Sequence, residues 1–179
     1  PTGKAIAMAC GEQFKRVSLE LGGKNPFVVF ADADLDQAAT EAARAAFSNT
    51  GQICLCGSRI LVEQSVLPDF QEKLLKATAA LRVGDPASEE SQIGSMVSEP
   101  HYQKVKQAIE SAPGTVLCGG GRPADLPERC REGWFLAPTI LTDLPETCST
   151  EQEEIFGPVA SLRGFVDEAD AIRLANATS

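Results

Sequence analysis

Apolar positions along the chain form short runs and helical stripes that alternate. Phe27-Val28-Val29-Phe30 is β-branched and aromatic and apolar on both faces, which predicts a buried parallel strand. Asp32 or Asp34 then caps a helix carrying Leu35, Ala38, Ala39, Ala42, Ala46 and Phe47 on one stripe, with Asn49-Thr50-Gly51 as its stop signal. Ile60-Leu61-Val62 predicts a second strand. Ser65 is placed to cap a helix with Leu67, Phe70, Leu74, Ala77 and Leu81 on one face, ended by Gly84-Asp85-Pro86. A further helix starts near Ser98-Glu99-Pro100 and buries Tyr102, Val105 and Ile109. Val116–Cys118 reads as a strand ended by Gly119-Gly120-Gly121, then Trp134–Leu141 as a strand, Glu151–Pro158 as a loop and Val159–Phe165 as a strand. Ala171, Ile172 and Leu174 mark a last helix. Upstream, Ala5, Ile6, Met8 and Ala9 read as the end of a helix, and Arg16–Leu21 as a strand or extended segment stopping at Gly22-Gly23. Alternating strands and helices predict an α/β fold, a mostly parallel sheet flanked by helices.

Composition narrows the function classes. At 179 residues and 43% apolar the chain has enough material for one core. Sixteen Lys and Arg stand against 25 Asp and Glu, a formal charge of −9, which argues against a nucleic-acid partner. No apolar run approaches the ~20 residues that span a bilayer. Six cysteines without a CxxC pair, and a single histidine, give a zinc site poor support; reduced thiols in a cytosol-like compartment are the better reading. The start at Pro1 and the end at Ala177-Thr178-Ser179, inside what reads as a helix, suggest a piece of something longer.

Three segments could carry chemistry. Gly51-Gln52-Ile53-Cys54-Leu55-Cys56-Gly57-Ser58-Arg59 joins a helix end to a strand, a junction type where α/β sites are commonly built. Cys54 there is either a nucleophile or, as most free cysteines are, an inert thiol in a tight turn. Glu20 between Leu19 and Leu21 is either a carboxylate whose apolar setting raises its pKa toward general-base use, or the solvent-facing residue of an edge strand. Glu153-Glu154-Ile155-Phe156-Gly157-Pro158 sets acidic residues beside an aromatic ring and a turn. His101, in the first turn of an amphipathic helix, reads as a solvated surface histidine, which disfavours a Cys-His pair. Gly119-Gly120-Gly121 leads into Arg122-Pro123 and no helix, so it is a turn and not a phosphate cradle.

Taken in order, Leu19-Glu20-Leu21-Gly22-Gly23-Lys24, Gly51-Gln52-Ile53-Cys54, Gly57-Ser58-Arg59 and Glu153-Glu154-Ile155-Phe156-Gly157-Pro158 resemble the NAD(P)-dependent aldehyde dehydrogenase superfamily. Asp32-Ala33-Asp34-Leu35-Asp36, Gly133-Trp134-Phe135 and Pro138-Thr139 add to the match. The text around Cys54-Leu55-Cys56 is similar to the branch acting on muconic-type semialdehydes. The resemblance implies that Cys54 is the nucleophile, giving a thiohemiacetal and then a thioester, and that its backbone N–H is one oxyanion donor. It implies that Glu20 is the base activating the hydrolytic water, that Glu154 bonds the nicotinamide ribose with Phe156 packed beside it, and that the Leu21 carbonyl holds the carboxamide. NAD is the implied cofactor, NADP not being excluded, and a small aldehyde the substrate, with no nucleic acid and no membrane. The parent protein is expected to be a cytoplasmic homo-oligomer. Residues 1–14 match the tail of a cofactor-binding domain and 15–179 a catalytic domain truncated at its C-terminal end, so the chain alone is expected neither to bind NAD tightly nor to oxidise aldehydes. Two alternatives stand beside this: a CoA-acylating dehydrogenase, against which Glu20 argues, and a non-catalytic fragment or pseudoenzyme keeping the fold for interaction.

Overall fold

A computed structural model describes residues 2–178. Its elements follow the hydrophobic pattern closely: α1 (Thr2–Gly11), β1 (Pro26–Val29), α2 (Leu35–Phe47), β2 (Arg59–Glu63), α3 (Leu67–Ala79), α4 (Glu99–Glu110), β3 (Thr115–Cys118), β4 (Thr139–Thr142), α5 (Ser149–Gln152), β5 (Val159–Phe165) and α6 (Glu168–Ala175). The five strands form one sheet in the order β1-β2-β5-β4-β3. β1, β2, β5 and β4 are parallel neighbours, and β3 joins the far edge antiparallel to β4. The fold is thus mixed α/β with a mostly parallel sheet.

Alternation along the central strands divides the core between two faces. Ile60 and Val62 of β2, Ile140 of β4 and Ala160 and Leu162 of β5 pack with Ala39, Ala42, Ala43, Ala46 and Phe47 of α2 and with Phe70 and Leu74 of α3. Leu61 and Phe165 face the other way, onto Ala171 and Leu174 of α6. Leu141 and Val159 on that same face meet Tyr102, Val105 and Ile109 of α4. The small alanine stripe of α2 lets that helix lie close to the sheet and to α3.

Two caps differ in kind. The Asp34 side chain accepts from the amides of Asp36 and Gln37, and Ser98 accepts from that of His101, as N-caps do. Ser65 is not the cap of α3: Val66 holds that position without a side-chain bond, and the Ser65 hydroxyl donates to Glu63 instead. Four further expectations change. β1 is an edge strand and only Val29 is buried, Val28 being 37% exposed. Arg16–Leu21 joins no ladder, which leaves the extended segment of its two readings. Of Trp134–Leu141 only the end from Thr139 pairs, Pro138 supplying no donor, and α5 occupies the start of the expected 151–158 loop. The last helix closes at Ala175 with Asn176 as its C-cap.

Candidate active site

Three segments, distant in sequence, meet at the amino ends of three parallel strands. Asn25 enters β1, the cysteine turn enters β2, and the 153–158 loop enters β5. Ligand sites in open α/β sheets ordinarily lie at the carboxyl ends. Here the motifs gather at the opposite end.

The cysteine turn is held in an unusual backbone. Asn49, Thr50 and Gly51 follow α2 with φ of 50°, 60° and 66°. A left-handed β-branched threonine is strained by about 1–3 kcal/mol, and its surroundings must hold it there. They do: Thr50 is buried and its hydroxyl donates to the Gly94 carbonyl at 3.4 Å. Gly51 lies so close to Gly157 that a Cβ would sit 2.0 Å from the Gly157 carbonyl oxygen. Beyond it, Cys56 N–H donates to the Ile53 carbonyl at 3.1 Å, closing a turn with Cys54 at its second position. Cys54 is half-buried and Cys56 buried. Burial pushes the Cys56 thiol up, and the nearby Glu154 adds to it.

Residues 22–25 connect this turn to the acidic loop. The Asn25 side-chain amide donates to the Cys54 carbonyl at 2.8 Å and to the Cys56 carbonyl at 3.3 Å. Two residues earlier, Gly23 N–H donates to Glu154 Oε1 at 3.2 Å. Glu154 lies flat against Gly22, where a Cβ would be 1.9 Å from Oε2. One carboxylate oxygen is therefore fixed by the backbone and the other is left as an acceptor. Phe156 has φ of 59°, and its carbonyl accepts from His101 Nε2 at 2.6 Å, the two rings meeting edge-on at 6.1 Å. His101 is thus the tether of the Phe156 loop and not merely a solvated histidine. Its Nε2 carries the proton in this contact, since a carbonyl can only accept.

Glu20 and Leu21 are placed differently. Residues 12–22 are exposed. Leu19 and Leu21 both rest against Gly3 of α1, and Glu20 between them is exposed to solvent. Of the two settings open to Glu20 the structure has the solvent-facing one, and among the described residues no hydrogen bond joins it to the cysteine turn.

Charged residues beside the site were not legible in the sequence. Arg59 is 3% exposed and donates to the carbonyls of Lys24, Leu174 and Ala175 at 2.9, 2.7 and 2.7 Å, so the arginine of Gly57-Ser58-Arg59 ties β2 to the end of α6. Glu151 is 5% exposed and its Oε1 has no hydrogen-bond partner among the described residues, the charges of Arg59 and Lys24 lying near it. Burial lowers Lys24 to about 8, opposed chiefly by Glu151. No cluster of His, Cys, Asp and Glu among the described residues could hold a metal. No helix among the described residues is long and apolar enough to cross a membrane.

The cleft between the two loops, lined by Gly23, Gly51, Cys56, Glu154 and Phe156 among others, holds only about 10 Å³, room for no more than one water. Larger cavities, of about 480 Å³ between α2 and α3 and about 650 Å³ between the end of α3 and the end of β3, touch neither Cys54 nor Glu154. Chemistry, not volume, singles out the loop cluster.

Known proteins resemble this chain in sequence and in fold. The chain matches the aldehyde dehydrogenase family over residues 1–179. It is 43% identical to 5-carboxymethyl-2-hydroxymuconate semialdehyde dehydrogenase of Escherichia coli, over 98% of this chain and 38% of that protein. It is 42% identical to the peroxisomal aminoaldehyde dehydrogenase 1 of Pisum sativum, over 99% of this chain and 35% of that one. The crystal structure of betaine aldehyde dehydrogenase from Staphylococcus aureus with NAD+ superposes with a TM-score of 0.91 at 34% identity, over 99% of this chain and 35% of that chain. The chain thus spans little more than a third of the length of these relatives. With a match across its whole length and a shared fold, this chain belongs to the aldehyde dehydrogenase family.

Proposed function

We propose that this chain is the nucleophile-bearing part of an NAD-dependent aldehyde dehydrogenase that converts an aldehyde or semialdehyde to a carboxylic acid. The observation that carries the reading is the junction at residues 22–25, bonded on one side to Glu154 and on the other to the Cys54 turn. It brings together three sequence motifs that lie up to 131 residues apart.

The residues divide the work as follows. Cys54, as thiolate, forms a C–S bond to the aldehyde carbon, and its own N–H faces the oxygen that becomes negative. The acyl group stays on the sulfur as a thioester. Glu20 takes a proton from water, the water oxygen attacks the thioester carbon, and the C–S bond breaks to return the thiolate. The Glu154 oxygen left unbonded by Gly23 N–H suits a sugar hydroxyl, with Phe156 beside it and the Leu21 carbonyl as acceptor for a carboxamide. Bound NAD supplies one thing, acceptance of the hydride that leaves the aldehyde carbon. NADP fits the same contacts, since none of them reads the ribose 2′ position. The exposure of Glu20 supports a division in which residues 1–14 end a cofactor-binding domain and 15–179 form the catalytic domain, the rest of the parent closing over Glu20. A homo-oligomeric parent fits the exposed Met8 and Phe14. A cytoplasmic location fits six free thiols, although the Pisum sativum relative is named as peroxisomal.

The test uses the full-length parent carrying this segment. Cys54→Ala abolishes NADH production. Glu20→Gln keeps a single-turnover burst but slows steady turnover by ~10²–10⁴-fold, with acylated Cys54 accumulating. The 179-residue chain alone shows neither tight NAD binding by calorimetry nor NADH production. Oxidation surviving Cys54→Ala overturns the assignment, and an unimpaired Glu20→Gln enzyme points to a CoA-acylating or other deacylation route.

A further inference from the structure

Asn25 belongs to none of the roles above, yet its side chain makes two bonds to the proposed nucleophile's turn. One amide group, Nδ2, donates to the carbonyls of both Cys54 and Cys56, across Leu55. Its backbone carbonyl accepts from Arg59 N–H at 3.2 Å, so the residue is anchored to the first residue of β2. On its other side the Asn25 amide lies over Gly23, where a Cβ would be 3.0 Å from Oδ1, so the glycine leaves the side chain room to sit there. The turn closes on one backbone hydrogen bond, Cys56 N–H to Ile53, with Ser58 N–H also donating to the Cys56 carbonyl at 2.8 Å, and it follows three left-handed residues. Leu55, at its tip, is 82% exposed and packs little. Asn25 is therefore the partner that holds the Cys54 carbonyl, and it shares the Cys56 carbonyl with Ser58 N–H.

We propose that Asn25 is a positioning residue for Cys54: by holding the Cys54 and Cys56 carbonyls on its amide, it keeps their negative ends from turning onto the sulfur and so favours the thiolate. A carbonyl dipole facing a thiolate disfavours the charged form, as a nearby anion does. The donor matters as well as the shape. Asparagine and aspartate have the same outline, but aspartate can only accept, and it would set its own charge against two carbonyl oxygens. The other ionisable groups about the turn are Cys56 within it, Glu154 across it, and Glu41 and Arg44 of α2, which with Leu55 line its outer side. All of these stay the same when Asn25 is changed.

The proposal rests on the reading of Cys54 as nucleophile for its catalytic meaning, but its test needs no turnover. The folded 179-residue chain is alkylated with iodoacetamide across a pH series. Each thiol is followed by mass spectrometry, with fragment ions separating Cys54 from Cys56. In Asn25→Ala the pH midpoint of Cys54 alkylation moves up by roughly half a unit or more, and in Asn25→Asp further still. Cys10, Cys118, Cys130 and Cys148 keep their wild-type profiles and serve as the check on folding. Asn25→Ser, a smaller change that keeps a hydroxyl donor, carries the test if Asn25→Ala unfolds, with a smaller upward shift. An unmoved Cys54 midpoint in a folded variant overturns the proposal, as does a shift shared by all six cysteines. In the parent enzyme the acid limb of kcat/KM moves with the alkylation midpoint. If alkylation shifts and that limb does not, the nucleophile assignment fails and the clamp stands.

Discussion

At the scale of single residues, the polar side chains beside the site act mostly through backbone groups. Asn25 and His101 reach carbonyls, Glu154 reaches an amide, and Arg59 reaches three carbonyls. Such partners lie 29 to 131 positions away, which is why periodicity and spacing gave no sign of them. Lys24 adds a pH dependence. Folding holds its amine at about 8, whereas in the unfolded chain it keeps its proton up to about 10.4. Between those values the unfolded state binds the extra proton, so this group's contribution to stability rises with pH; below about 8 the cost of the buried charge is fully present. Urea titrations at pH 7.5 and 10 are expected to show wild type gaining on Lys24→Met as pH rises. Lys24 is half-buried, so solvent screening limits the gain to about 2 kcal/mol at most. Equal stability differences at both pH values would contradict this.

Elements were legible where one segment's own pattern decides its fate. The α2 alanine stripe, the α4 cap at Ser98 and β5 over Val159–Phe165 follow from local periodicity and capping. Reading failed where a neighbour decides. Phe27–Phe30 looks buried on both faces, but no strand pairs on its outer side, so Val28 and Phe30 remain exposed. Glu20 between Leu19 and Leu21 left an apolar and a solvent-facing setting open, and its neighbours decide between them: both leucines turn to α1 and leave it in solvent. The joint between β2 and α6 shows the same dependence on distant partners. Arg59→Met keeps the stem but removes three charge-assisted bonds and leaves the carbonyls at the end of α6 unpaired. A loss of about 3 kcal/mol in urea unfolding is expected, with α6 amides losing hydrogen-exchange protection first. A loss under about 1 kcal/mol, or uniform loss of protection, would show that the joint carries little.

For the whole molecule, firmness is unevenly distributed. From Arg16 to Gly22 no backbone N–H bonds to a partner among the described residues, and every residue of that stretch is exposed. Limited trypsin digestion is expected to cut first after Lys15 or Arg16 and to leave a resistant core that starts at residue 16 or 17. First cuts after Arg129 or Arg131 would instead locate the weak region in the turn-rich stretch before β4. The sheet explains the resistance of the remainder, since α2, α3, α4 and α6 cover both faces of its central strands.

The strand order has a consequence for how the chain is made. β5 is the last strand in sequence and the middle one in space, with β2 on one side and β4 on the other. As the chain leaves the ribosome, β1 with β2 and β3 with β4 emerge as two separate pairs, each with an apolar face lacking its cover. Only when residues 159–165 are free do the pairs join, and the Arg59 guanidinium waits longer still, for carbonyls at the end of α6. Most of the polypeptide must therefore persist unfinished during synthesis, the interval in which exposed strand edges are most open to aggregation or to protection by a chaperone.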